Sequence, residues 1–431
     1  MSEADFVAIG GFVVLFALMA LRVPVGIAMG VVGVGGFAQI VGWGAALSQL
    51  AITPLRTITD YNTSLIPMFI LMGVFATRSG ISSELFGAAR AWVGHKRGGL
   101  GLATISACSG FAAISGSSVA TAATMSRVAL PEMRKAGYSD ELATGVIASG
   151  GTLGILIPPS VVLAIYGYIT QQDIGTLFIA GIVPGIIAVI MYLALVWVIA
   201  GKHSAASEKV GLKERFIALR GIWAVLLLFV SVVGGIYAGV VTPTEAAAAG
   251  AFLTGLIGVL RGRLGLRELR ISLVDALRTS VSIYTILIGA MLFSSFLAIT
   301  QTPQKMTAWL TALDLGAYPT LALILLFFLF MGCILDAMAM IILLVPIVFP
   351  VIMALGFDPI WFGIIIVMTV ELGMITPPIG MNVYIINGVI RDTKLTTIFR
   401  GVVPFVGVDL VRLVLLAAIP AITLWLPRTM S

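Results

Sequence analysis

Charge is what this chain of 431 residues has least of. Asp, Glu, Lys and Arg make up 10% of it, against roughly 25% in an ordinary soluble domain. With 60% hydrophobic residues and a mean hydropathy of +1.13, too few polar side chains remain to cover a water-soluble surface. Histidine and cysteine are scarce as well, two of each. His95 and His203 fall in polar connections, read as solvated and too few for a metal site. Cys108 and Cys333 fall inside apolar segments and read as packing thiols rather than a disulfide or ligand pair. No Gly-x-x-x-x-Gly-Lys-Ser/Thr phosphate loop is present. The opening Met1-Ser2-Glu3-Ala4-Asp5 lacks the basic stretch of a secretory signal, so the first apolar run is expected to be a retained span.

What the chain does have is apolar runs long enough to cross a bilayer, for which about 20 helical residues suffice. They recur from end to end, continuous and rich in Leu, Ala, Gly and Met. A β-barrel would show segments of about 10 residues alternating apolar and polar, so an all-α polytopic membrane protein is expected. The net charge of +6 comes from Lys and Arg in short loops between spans rather than from one patch. That distribution speaks for membrane orientation and against nucleic acid as a partner.

Self-similarity organises the whole length. The stretch Leu153-Gly154-Ile155-Leu156-Ile157-Pro158-Pro159 is echoed by Leu372-Gly373-Met374-Ile375-Thr376-Pro377-Pro378, an offset of 219 residues. The same offset carries Pro24 onto Pro243, and Ser115-Gly116-Ser117-Ser118 onto Ile334-Leu335-Asp336-Ala337. With one residue of slippage, Gly181-Ile182-Val183-Pro184 meets Gly401-Val402-Val403-Pro404. Residues 1–212 and 213–431 therefore read as two repeats. Each has two spans (5–21 and 24–43; 220–240 and 243–260), a short amphipathic stretch and a third span (61–78; 281–300). A re-entrant helical hairpin follows (99–130; 318–352), then a broken span (140–170; 359–389) and a last span (174–200; 402–426). Five full crossings per repeat force the second to enter upside down, giving inverted-topology repeats.

Basic residues, which concentrate in short cytoplasmic loops, test the orientation. Arg90, Lys96, Arg97, Arg134 and Lys135 flank the first hairpin, which should open to the cytoplasm. Lys305 stands by the second hairpin with Asp314 and Asp358, so that one should open outside. Counting crossings puts 202–220, 261–270 and 391–400 inside as well, all basic, and both termini outside.

Helix breaks survive inside a bilayer only where protein or a water-filled site satisfies the freed backbone groups. Residues 154–160 and 373–380 interrupt corresponding spans with prolines, which lack N–H groups and obstruct the preceding turn. A kink satisfied by neighbouring helices is one account. Paired breaks in inverted halves favour a binding site, with a small cation the usual partner of free carbonyls. The small, hydroxylic tip at 109–118, continued by Val119-Ala120-Thr121-Ala122-Ala123-Thr124, serves either close helix packing or a hard-cation site of oxygen ligands together with the first break. In the second hairpin, Asp336 places a carboxylate near mid-membrane, either paired between helices or on an ion or substrate path. Glu371, two residues before Gly373, is a weaker candidate. Glu245 in Thr242-Pro243-Thr244-Glu245 serves as well for helix initiation.

Taken together, Ser115-Gly116-Ser117-Ser118, Gly151 through Ser160, Thr242-Pro243-Thr244-Glu245-Ala246-Ala247, Gly332 to Asp336 and Gly373-Met374-Ile375-Thr376-Pro377-Pro378 resemble the large membrane subunit of tripartite ATP-independent periplasmic (TRAP) transporters. The resemblance spans essentially the whole chain. It implies a non-enzyme with an elevator-type fold, and transport of two or more Na+ ions with no organic cofactor. One sodium site would use Ser115, Ser117, Gly154, Ile157 and Pro159. The other would use Gly332, Gly373, Thr376 and Ile379, mostly through backbone carbonyls. A small organic acid would lie near Ser118, Thr121, Asp336, Thr376 and Asn382. Implied partners are a small four-span membrane subunit and a periplasmic substrate-binding protein, and the implied location is the bacterial inner membrane. The alternative is a stand-alone sodium–anion symporter of the same hairpin plan. A channel would need a pore-lining polar ring and an intramembrane enzyme a second aspartate facing Asp336, and neither is apparent.

Overall fold

Long apolar runs interrupted by Gly, Pro and hydroxyl residues produce helices and, among the described residues, nothing else regular. The computed structural model describes residues 3–200 and 210–429. His203 and Lys202 therefore lie outside the described residues. In the first half the helices are α1 (Glu3–Ala20), α2 (Val25–Val41), α3 (Trp43–Thr59), α4 (Leu65–Arg78), α5 (Ile81–Val93), α6 (Gly99–Ser115), α7 (Ser118–Lys135), α8 (Asp140–Leu156), α9 (Val161–Thr170) and α10 (Ile174–Ile199). In the second half α11 (Leu212–Leu219) precedes α12 (Trp223–Phe229), which runs through a π-helical turn, Val230–Gly234, into α13 (Gly235–Tyr237). Then come α14 (Pro243–Leu260), α15 (Leu266–Ile299), α16 (Thr302–Ala312), α17 (Ala317–Gly332), α18 (Ala337–Ala354), α19 (Pro359–Ile375), α20 (Met381–Ile390), α21 (Leu395–Ala418) and α22 (Pro420–Leu424). Seven helical stretches, counting α8 and α9 as one, are long and apolar enough to cross a membrane alone, and two bent pairs add to them. The chain is a polytopic helical membrane protein.

Capping explains where many helices start. Ser117, Ser139, Ser160 and Asp173 accept hydrogen bonds from backbone N–H groups at the starts of α7, α8, α9 and α10, and Asp336 and Asp358 do the same for α18 and α19. Each satisfies a donor that the first turn leaves without an intrahelical acceptor. Thr242 and Glu245 form a reciprocal capping box at α14, with Pro243 at its first position, so Glu245 is a helix starter.

Small residues set the packing. A Cβ on Gly26 would stand 2.6 Å from the carbonyl oxygen of Thr285, and one on Gly33 would stand 2.6 Å from the backbone of Leu292, so α2 and α15 touch backbone to backbone. α4 packs on α14 and α15. The broken spans lie at the centre. Every residue from Ala143 to Leu156 of α8 and from Trp361 to Ile375 of α19 is buried, the signature of a helix surrounded by protein on all sides.

Three expectations are corrected. The amphipathic stretch and third span of the second half are one unbroken rod, the 34-residue α15, while the first half is divided between α3 and α4. Nothing in 266–299 breaks a helix, whereas Asp60 and the turn after it part α3 from α4. Helices α5, α11 and α16 have no counterpart in the sequence reading, because their apolar runs are too short to read as spans. The final span begins at Leu395, ahead of the expected 402, since polar Thr396, Thr397 and Arg400 cost a helix little.

The loops fall into two linked sets. Arg97 donates to the carbonyl of Ala200 at 2.8 Å, the Trp92 indole to the carbonyl of Arg215, Arg134 to Asp392 at 2.9 Å and Arg261 to Glu84 at 2.5 Å. In the other set Lys305 donates to Asp5, Tyr61 shares a hydrogen bond with Thr242, Tyr237 with Thr429, and the Tyr166 hydroxyl donates to the carbonyl of Pro359. These are the loops expected inside and outside, respectively. His95 is half-buried with its Nδ1 3.4 Å from Arg215, a partner that its polar surroundings in sequence did not reveal. Cys108 and Cys333 are free and buried.

Candidate functional site

Proline chemistry creates the first candidate site. In a helix the carbonyls of Gly154 and Ile155 would accept from the N–H groups of residues 158 and 159, but both are prolines. The Ser160 hydroxyl reaches the Ile155 carbonyl at 2.5 Å, whereas Gly154 has no such N–H to accept from. Against this break lies the tip of the first hairpin. A Cβ on Gly154 would stand 2.7 Å from the carbonyl carbon and oxygen of Ser117, and one on Gly116 would stand 2.7 Å from the Pro159 oxygen. Gly116 also turns the tip with φ +57°, a left-handed conformation open to glycine at no steric cost. On the far side α4 comes so close that a Cβ on Gly73 would sit 2.9 Å from the Ser115 carbonyl oxygen. Ser115, Ser117, Gly154 and Pro159 therefore converge, as the sequence reading grouped them, and half-buried Ile157 follows on the same break.

The second candidate site repeats the design. Pro377 and Pro378 deny N–H partners to the carbonyls of Gly373 and Met374, and Gly373 accepts instead from Thr376 N–H at 3.2 Å. A Cβ on Gly373 would stand 2.8 Å from the Cα of Gly332, so hairpin and break again meet at glycine backbones. Ile379 precedes Gly380, whose φ of +59° turns the chain into α20. Among the described residues no three His, Cys, Asp or Glu side chains converge. A cation at either break would take carbonyl and hydroxyl oxygens, which suit a hard ion.

Between the breaks, two of the expected substrate residues are brought together. The Ser118 hydroxyl donates to Asn382 Oδ1 at 2.8 Å, and the Asn382 amide donates to the Ala148 carbonyl at 3.2 Å. One asparagine of α20 thus joins the first hairpin to α8. The other three expected residues are engaged locally. Thr121 bonds to Ser115 and to the Ser117 carbonyl, turned back into its own hairpin. The Thr376 hydroxyl donates to the Leu372 carbonyl at 2.6 Å. Asp336 is neither a helix-to-helix ion pair nor hydrogen-bonded to the first hairpin. Its Oδ1 accepts from Met338 and Ala339 N–H at 2.9 and 3.1 Å and caps α18, just as Ser117, 219 residues earlier, caps α7. Of the helices starting here, α20 has no side-chain cap.

A second group of buried polar residues joins α10, α19 and α21. Arg412, fully buried, places Nη2 2.8 Å from Glu371 Oε2 and 3.0 Å from Asp409 Oδ1, and the Tyr192 hydroxyl donates to Asp409 Oδ2 at 2.6 Å. The sequence reading included Glu371 and missed the rest. Asp409 and Arg412 stand three apart within an apolar span, where ionisable residues are rare and meaningful, and that was the available signal.

The model for the DctM component of tripartite ATP-independent periplasmic transporters matches residues 12–422. The C4-dicarboxylate TRAP transporter large permease protein of Pseudomonas aeruginosa is 38% identical, covering 89% of this chain and 90% of its own length. An ectoine/5-hydroxyectoine TRAP large permease of Ruegeria pomeroyi is 32% identical over 96% of this chain and 97% of its own. Among solved structures, the YdaH transporter of Alcanivorax borkumensis shares the fold at a TM-score of 0.63 and 13% identity, over 88% of this chain and 89% of that one. With nearly its full length matched, and with relatives that are transporter permeases, this chain belongs to the family of DctM large permease subunits of TRAP transporters.

Proposed function

We propose that the chain is the large permease of a sodium-coupled importer of a small organic acid, and that it works by an elevator movement. In this reading residues 1–212 and 213–431 are inverted repeats whose hairpins and broken helices move together against a scaffold containing α2, α4, α14 and α15. The carrying observation is that both hairpin tips sit against proline breaks at glycine backbones, Ser117 on Gly154 and Gly332 on Gly373. There, carbonyls that lose their regular helical N–H donors to proline face the hairpin tips inside a buried core. Each junction would hold one transported sodium ion, with Ser115, Ser117, Gly154, Ile157 and Pro159 at the first and Gly332, Gly373, Thr376 and Ile379 at the second.

The substrate carboxylate would meet Ser118, Asn382 and the uncapped N-terminus of α20, where N–H groups and the helix dipole favour an anion. The N–H groups at the start of α18 already serve Asp336, so that helix offers less. Relatives named for C4-dicarboxylates and for ectoine support a carboxylate as one substrate class. The small membrane subunit and the periplasmic binding protein complete the system, in the bacterial inner membrane. Uptake into vesicles containing this chain, its small partner and the binding protein tests the reading. It should require an inward sodium gradient, and equal uptake without sodium overturns it.

A further inference from the structure

The Glu371–Arg412–Asp409 cluster takes no direct part in that scheme, yet it fills the core beside one of the two breaks. Stability is a weak reason for its presence. Removing charges from water offsets most of their attraction, and replacing a whole buried ion set by apolar side chains is often neutral or stabilising. Nor are its members fully satisfied, since Glu371 Oε1 and Arg412 Nε and Nη1 have no hydrogen-bond partner among the described residues.

What the cluster does supply is register. Glu371 stands on α19 two residues ahead of Gly373, the residue that meets the second hairpin. Arg412 and Asp409 stand on α21, and Tyr192 on α10, so elements from both halves converge on the end of α19. The first break is held by other means. A Cβ on Gly181 of α10 would stand 2.8 Å from the Leu156 carbonyl oxygen, and one on Gly185 would stand 3.0 Å from the Ile157 side chain. With the one-residue slippage of the last span, the positions matching Glu371 and Arg412 in the first half hold Thr152 and Tyr192, neither of them charged. Close backbone packing fixes the first break, and Arg412 Nη2, shared between Glu371 Oε2 and Asp409 Oδ1, ties the second to α21.

We infer that Arg412 is a positioning residue for the second cation site. Through Glu371 it sets where the carbonyl-bearing end of α19 stands against Gly332, and hence how tightly that site holds sodium. The inference rests on the sodium reading above. Groups that orient metal ligands from outside typically change metal affinity by about 10–100-fold when removed.

The test is the sodium concentration giving half-maximal uptake, measured with melting temperature for wild type and two variants. The triple variant Glu371→Met/Asp409→Leu/Arg412→Met removes every charge and keeps an apolar core. It should remain folded, with half-saturation raised about tenfold or more and the maximal rate at saturating sodium much less affected. Arg412→Lys keeps the charge but loses the planar guanidinium and its reach to both carboxylates, and should shift half-saturation the same way by less. Unchanged half-saturation in a folded triple variant overturns the inference while wild type still responds to sodium. Loss of folding in both variants assigns the cluster to folding and overturns it equally. A wild type indifferent to sodium fails the underlying reading instead, an outcome visible before either variant is compared.

Discussion

At the scale of single residues, the decisive feature is the absence of a side chain. Gly154→Ala and Gly373→Ala would each push a methyl group against opposing backbone, 2.7 Å from Ser117 and 2.8 Å from Gly332, where no rotamer change relieves it. Both should lower sodium-dependent uptake at least about tenfold, since misplacement of about 1 Å at a site costs on the order of a hundredfold. Gly35→Ala on α2, with nothing within 4 Å of its new methyl, should leave uptake at the wild-type level. Wild-type uptake by both site variants would remove the junctions from the mechanism. The caps make a milder pair. Ser117→Ala and Asp336→Ala each forfeit a cap worth about 1 kcal/mol, so both should reach the membrane folded but transport poorly. Residue roles were only partly legible in the sequence. Spacing and proline content located the breaks and tips, but the direction in which Thr121, Thr376 and Asp336 spend their hydrogen bonds depends on local backbone geometry. Arg412 escaped because Glu371, the partner through which it reaches the break, lies 41 positions away in sequence.

At the scale of elements, the hairpins and broken helices were legible because each carries its own punctuation. Gly116 turns one tip, Asp336 caps the helix after the other, and a proline pair opens each break. The continuity of α15 was not, because a missing break leaves no mark in composition. Ties between elements at the loops expected inside were equally hidden. Arg134 at the end of α7 binds Asp140 at the start of α8 with hydrogen bonds of 2.7 and 2.8 Å, and Asp392 between α20 and α21 with bonds of 2.9 and 3.0 Å. That guanidinium, donating to the Asp392 carboxylate, holds it below the ordinary aspartate value of 3.8. A carboxyl whose folded value is depressed stabilises the fold fully above its unfolded value and loses that contribution as pH falls through the folded one. The tie is therefore complete at neutral pH and released only in acid. Melting curves of the purified protein should show lower stability below about pH 4, the unfolded aspartate range, and Asp392→Asn should flatten that acid limb while lowering stability at neutral pH. An identical acid limb in the variant would mean that Asp392 is no part of the tie.

At the scale of the whole molecule, the arrangement rests on the direction in which each hairpin enters. If the hairpins are re-entrant and the repeats inverted, both ends of α6–α7 face one compartment and both ends of α17–α18 the other. Contacts agree with that sorting, since Arg90 beside the first hairpin binds Glu132 on its returning helix, and Tyr318 at the start of the second packs edge-on against Phe357 just beyond its end, with ring centroids 5.5 Å apart. Basic residues near the first hairpin and acidic ones near the second would orient these ends to the cytoplasm and the outside. Single cysteines introduced into a background without Cys108 and Cys333 decide the matter. Lys96→Cys and Lys135→Cys, both exposed, should react with a membrane-impermeant thiol reagent only after the membrane is opened. Asp314→Cys and Ala354→Cys, also exposed, should react in intact cells. A hairpin whose two ends label from opposite sides crosses the bilayer completely. Its tip could not then meet a broken helix at mid-depth, and the sodium junctions, the inverted repeat and the elevator movement would fall together.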